Sequence, residues 1–124
     1  MTIRLLCFIK RLPGVSFEDF DHHWKNTHGR LVMTLSPIVE GRIKYIQLHC
    51  NAQSNALLQS ATLPVMAYDG IAEFHAETVE EVLEMFGSKE YQEKVAFDEA
   101  ALGFDRMAVQ VMVGESHIPE PATK

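Results

Sequence analysis

The sequence predicts an α+β domain whose elements run β-α-β-β-α-β. Three observations carry this reading. Four short runs rich in Ile, Leu, Val and Phe show period-two patterning. Two helical stretches repeat apolar residues at helical spacing. Turn-forming residues separate them. The 124 residues suit one domain and can bury a core without staples. Apolar residues make up 47% of the chain, which argues against disorder.

Residues 2–10 alternate and form the first strand, ended by Leu12-Pro13-Gly14. Ser16 is the expected N-cap of a helix, with Glu18 and Asp19 in its first turn, where the helix dipole favours acids. That helix should run to about Leu35 and stop at Ser36-Pro37. The second strand is Gly41 to Cys50 (GRIKYIQLHC), and Ala52 to Ser60 suits a short helix before a loop at Thr62 to Met66. Tyr68 to Ala76 is the third strand. Thr78 caps a second helix through Val79, Val82, Leu83 and Phe86; Ser88 opens a further helical stretch that Gly103 ends. Arg106 to Val113 is the fourth strand. The domain is thus expected over 1–115, with 116–124 as a tail. The order is that of a ferredoxin-like sandwich. The first and fourth strands are substantially apolar on both faces, yet helices in this arrangement cover only one. A second copy packed sheet against sheet is the expected partner.

Seventeen acids against 11 bases give a net charge of −6, and no basic run exceeds Lys10-Arg11. Nucleic acid and anionic membrane are therefore not expected partners. Cys7 and Cys50 make no disulfide framework and no C-x-x-C pair. The N-terminal apolar run, Leu5 to Ile9, is too short for a secretory segment. No stretch approaches the roughly 20 apolar residues needed to span a bilayer. A soluble, cytoplasmic protein is the expectation.

The stretch FDHHWKNTHGRL carries three histidines in a predicted helix. At about 100° per residue, Phe17, Phe20, Trp24, Leu31 and Leu35 fall in one stripe. His28 falls inside it, and His22 and His23 fall outside on opposite flanks. The spacings of one, five and six residues do not match the i,i+4 pair of a helical zinc site, so no metal is expected. In the second strand Tyr45, Gln47 and His49 share a face with Ile43. In the third, Asp69, Ile71, Glu73 and His75 share a face opposite Phe74. A histidine on an apolar stripe is often an ordinary core residue, and Glu73 with His75 suits a solvated strand face. If His28, Tyr45 and His49 all point between sheet and helix, however, they line one cavity able to exchange protons with a substrate. Phosphate-loop, nucleophile-elbow, nicotinamide and flavin motifs are absent from the sequence, which leaves cofactor-free acid–base chemistry.

The run RLPGVSFEDFDHHWKNTHGRLV resembles the opening motif of EthD-type domains, a Pro-Gly turn followed by F-x-x-x-W-x-x-x-H. The similarity continues through KYIQLH at 44–49, YDGIAEF at 68–74, YQEKV at 91–95, DE at 98–99 and VGE at 113–115. Within that family the chain is similar to fungal decarboxylases of aromatic polyketide pathways, which act on anthraquinone precursors such as atrochrysone carboxylic acid. The resemblance implies a dimeric α+β barrel and a cofactor-independent lyase acting on an aromatic polyketide acid. His28, Tyr45, His49 and Asp69 would be its catalytic residues. His28 is the acid–base group, Tyr45 and His49 polarise the carbonyl, and Asp69 orients a histidine. Phe20, Trp24, Phe74 and His75 would contact substrate, although the family pattern has a bulky aromatic where His75 stands. Dehydration or cyclisation of a related polyketide, non-catalytic binding of a hydrophobic small molecule and cofactor-free oxygenation remain alternatives.

Overall fold

The computed structural model describes residues 2–122. The element order is β1 (Ile3–Ile9), α1 (Phe17–His23), α2 (Gly29–Val32), α3 (Ser36–Val39), β2 (Lys44–His49), α4 (Ala52–Ser60), β3 (Gly70–Ala76), α5 (Val79–Phe86), α6 (Lys89–Tyr91), α7 (Asp98–Leu102) and β4 (Gln110–Glu115). Two π-helical turns, Trp24–His28 and Gln92–Ala96, join α1 to α2 and α6 to α7. The strands form one antiparallel sheet in the order β2-β3-β1-β4, the ferredoxin-like arrangement expected from the sequence.

Alternation along the strands divides the sheet into two faces. Leu5, Cys7 and Ile9 of β1 stand beside Ala72, Phe74 and Ala76 of β3, and all are buried beneath the helices with Phe20, Trp24, Val32 and Leu35. The helix starts follow from capping. Ser16 accepts from the Asp19 amide, Thr78 from Glu81 and Ser88 from Tyr91, each satisfying an orphan N–H of the first turn. Gly70 permits the closest helix–sheet approach. A Cβ there would lie 2.5 Å from Trp24 Cζ3 and 2.7 Å from the Leu48 carbonyl oxygen.

The opposite face has no helix over it. It carries Leu6, Phe8, Ile71, Ile46, Leu48 and Met112, of which the last three, on the edge strands β2 and β4, are exposed. At its edge Arg4 donates to Glu73 at 2.5 Å, and His75 lies 3.2 Å from the same carboxylate oxygen. Burial alone would raise the Glu73 pKa, but the Arg4 and His75 hydrogen bonds outweigh it and hold the carboxyl below its usual range.

Several boundaries depart from expectation: β2 runs Lys44–His49 rather than Gly41–Cys50, β4 extends to Glu115 rather than Val113, and three further shifts have a local cause. The first long helix ends by Val32, and Ser36-Pro37 opens α3 rather than stopping its predecessor. Pro37 sits where a missing N–H costs nothing. The fourth strand starts at Gln110, not Arg106. Asp105 accepts from the amide of Met107 through its side chain and from Ala108 through its carbonyl, closing a turn over the expected strand start. The third strand starts at Gly70 rather than Tyr68. Residues 116–122 carry no regular structure. Met1 of the expected domain and Thr123 and Lys124 of the expected tail lie outside the described residues.

Candidate active site

Between the helix layer and the sheet lies a cavity of about 330 Å³. Its walls are chiefly apolar and aromatic: Trp24, Val32, Phe74, Phe86 and Leu102 among them. The polar groups that reach it are His28, Tyr45, Tyr91, Glu99 and Arg106. A largely apolar hollow with a few placed polar groups is the usual form of a small-molecule site.

His28 enters this cavity from the π-helical turn and is buried. Its Nδ1 lies 3.1 Å from Asp98 Oδ2, at the buried start of α7. With the carboxylate ionised, Nδ1–H donates to it and Nε2 is the nitrogen left to serve the cavity. Burial holds the His28 pKa below the usual histidine value, while the hydrogen bond and charge of Asp98 and the charge of Glu99 offset part of that depression. The same carboxylate lies 2.9 and 3.0 Å from His23 Nε2. His23, half-buried on the flank of the stripe, shares Asp98 with His28, while His22 is exposed and bonded to Asn26.

Tyr45 faces His28's cavity from β2, with Phe74 packed at 5.2 Å between ring centroids. Burial pushes its pKa up to about 12, against the pull of the Gln47 and Trp24 donors, so the phenol stays protonated. Gln47 Nε2 lies 2.8 Å from Tyr45 Oη and 3.0 Å from the Trp24 carbonyl oxygen. Tyr91 bonds Glu99 at 3.4 Å, and Glu99 pairs with Arg106 at 3.3 Å. Burial raises Tyr91 far above the ordinary tyrosine value. Burial likewise pushes the Cys7 thiol up to about 11, so at neutral pH it lines the cavity as a thiol and not as a nucleophilic thiolate.

The EthD domain family matches residues 12–102. The chain belongs to the EthD domain family. No curated protein matches this EthD chain. The crystal structure of an EthD family protein from Bacillus halodurans C-125 is similar to it with a TM-score of 0.56 and 16% identity, covering 94% of this chain and 100% of that one. That likeness extends to the fold, which is consistent with a dimeric α+β barrel.

The EthD chain brings together some of the residues singled out from sequence and separates others. His28, Tyr45, Trp24 and Phe74 line the cavity. His49 does not, although it shares a strand face with Tyr45. Four residues of strand put the two about 13 Å apart, and the Trp24 indole, its centroid 4.4 Å from the His49 ring, stands on His49. His49 instead bonds Asp21 Oδ1 at 2.5 Å and Gln47 Oε1 at 2.8 Å. Phe20 is buried behind Trp24, at 6.3 Å between centroids, rather than in the cavity wall. Asp69 orients no histidine: its carboxylate accepts from the Arg11 amide at 2.8 Å and pairs with the Arg11 guanidinium, pinning the chain after β1. His75 cannot contact a ligand in this cavity, because alternation places it on the helix-free face.

The sequence assigns no role to Asp98, Asp21 or Gln47, although Asp98 lies in the DE motif at 98–99 and Gln47 shares a strand face with Tyr45 and His49. Asp98 stands 70 positions from His28, and the DE motif marks it in the sequence without saying which side chain it meets. Among the described residues no group of three or more His, Cys, Asp or Glu could hold a metal ion. No helix among them is long and apolar enough to cross a membrane.

Proposed function

We propose that this EthD domain is a cofactor-independent lyase that decarboxylates an aromatic, polyketide-derived carboxylic acid. One observation supports the reading above all others. A carboxylate-held imidazole, His28, and a phenol kept protonated, Tyr45, reach the same largely apolar cavity.

Loss of CO2 from a β-keto or ortho-hydroxy aryl acid leaves electrons that must be held as an enol or enolate. Tyr45 donates to the oxygen on which that charge develops. His28 Nε2 takes the carboxyl proton, CO2 departs with cleavage of the carbon–carbon bond, and the same proton returns to the carbon left behind. Acid in equals product plus CO2, with no net proton exchange. Asp98 supports the transient imidazolium through Nδ1–H. A placed acid–base group of this kind is worth about 10²–10⁴-fold. Asp98 and the apolar walls divide the work: the carboxylate favours the charged ring, and burial returns it to the neutral form. The active form is inferred to be a homodimer through the helix-free sheet face, whose exposed Ile46, Leu48 and Met112 need a cover.

Mass spectrometry of products from aryl polyketide acids tests the reading. Loss of CO2 dependent on His28 supports it. Loss of water alone would assign the site to a dehydratase, and binding without any product would make it a carrier of hydrophobic small molecules.

A further inference from the structure

We infer that Asp21, His49 and Gln47 are positioning residues that turn the phenol proton of Tyr45 into the cavity and make it a one-way donor to a carbonyl or enolate oxygen. This rests on the proposed function, in which Tyr45 holds the substrate oxygen.

The direction of each hydrogen bond follows from what each partner can do. The Trp24 carbonyl oxygen only accepts, so the Gln47 group 3.0 Å from it is the amide nitrogen. The other N–H of that nitrogen meets Tyr45 Oη at 2.8 Å, so the phenol oxygen accepts there. Its own proton has no acceptor among the described residues and is left for the cavity that Tyr45 lines. The amide oxygen of Gln47 must then accept, and it does so from His49 Nε2 at 2.8 Å. The far side of that ring is held by Asp21 at 2.5 Å and its face by Trp24. An amide does not pass protons along. The chain therefore fixes orientation rather than relaying charge, and each member removes one rotational choice from the next. Gly29 makes room for it: a Cβ there would lie 2.8 Å from Gln47 Nε2 and 3.1 Å from the Trp24 carbonyl oxygen.

The test uses acetophenone, labelled with carbon-13 at the carbonyl, bound to the full chain and read by its infrared carbonyl stretch. A fixed phenol donor lowers that frequency relative to Tyr45→Phe. In Gln47→Glu the introduced carboxylate accepts from the phenol, so the frequency rises to the Tyr45→Phe value while acetophenone still binds. Gly29→Ala displaces the flexible amide and moves the frequency the same way; it also serves if Gln47→Glu does not fold. A wild-type frequency retained in the folded Gln47→Glu or Gly29→Ala protein overturns the inference and leaves the function standing. Equal frequencies in wild type and Tyr45→Phe, or failure of acetophenone to bind, overturn the role of Tyr45 and the inference with it.

Discussion

Asp98→Asn is the sharpest test of the His28 assignment. The substitution keeps the size of the side chain, so packing around the buried start of α7 survives, but it replaces a double acceptor with an amide. In the wild type one oxygen lies 3.1 Å from His28 Nδ1 and 2.9 Å from His23 Nε2, and the other lies 3.0 Å from His23. An amide cannot accept from both rings with both of its atoms. When its NH2 meets His28, Nδ1 must accept, the proton moves to Nε2, and the cavity faces a donor where it needs a base. Losing the charge-assisted hydrogen bond removes about 1.5–3 kcal/mol from the imidazolium, which is about 10- to 150-fold at 1.36 kcal/mol per decade. Reversing the tautomer forfeits the acid–base contribution itself, about 10²–10⁴-fold. The expected outcome is a fall in kcat of about 10-fold where the amide oxygen still meets His28, up to about 10⁴-fold where the NH2 does, with KM little changed, measured by CO2 release from an aryl β-keto acid such as benzoylacetate above its spontaneous rate. The pH response has a definite sign. Burial lowers the His28 pKa, and the hydrogen bond and charge of Asp98 raise it, so removing Asp98 moves His28 titration further down. Imidazole NMR reads that directly. Unchanged turnover in the folded variant, or an upward move of the titration, would refute the reasoning.

His28 also ties stability to pH. Its folded pKa lies below the unfolded value of 6.5, so the folded state binds fewer protons. The stability it contributes is full above pH 6.5 and is lost as pH falls through the lower folded pKa; denaturant titrations should show a slope in that window that His28→Asn flattens. Gly70→Ala drives a methyl into Trp24 and the Leu48 carbonyl oxygen, which cannot both yield, and should cost about 1–3 kcal/mol in chemical unfolding. Trp24→Ala, at a side chain only 2% exposed, should cost about 3–5 kcal/mol in the same assay. On the helix-free face, Leu48→Glu should convert a dimer to a monomer in light scattering without altering the circular dichroism of the fold. In native protein iodoacetamide should spare Cys7 at neutral pH, with peptide mapping as the readout, because its thiol pKa lies at about 11.

The legible parts of this molecule are those set by local periodicity. Trp24 and His28 share a helix stripe because they are one turn apart, and both do face the cavity. Tyr45 and His49 share a strand face for the same kind of reason. Periodicity gives direction but not distance, and Trp24 takes the space that a common hollow for those two residues would require. His75 shows a second limit. Alternation sets it opposite Phe74, but with apolar residues on both faces of the sheet no pattern says which face the helices cover. The fourth strand was misplaced because Met107 and Val109 continue its alternation, while the signal that decides the matter is Asp105, whose carboxylate closes a turn over the same residues. The non-local partners were hidden more deeply. Asp98 and His28 become neighbours only once the helices after β3 pack against the π-helical turn. The Gln47 amide becomes directional only because the Trp24 carbonyl cannot donate. His28 can therefore be named as the acid–base candidate from one helix, whereas the carboxylate that holds it and the hydrogen-bonded chain from Tyr45 through Gln47 to His49 exist only in the assembled fold.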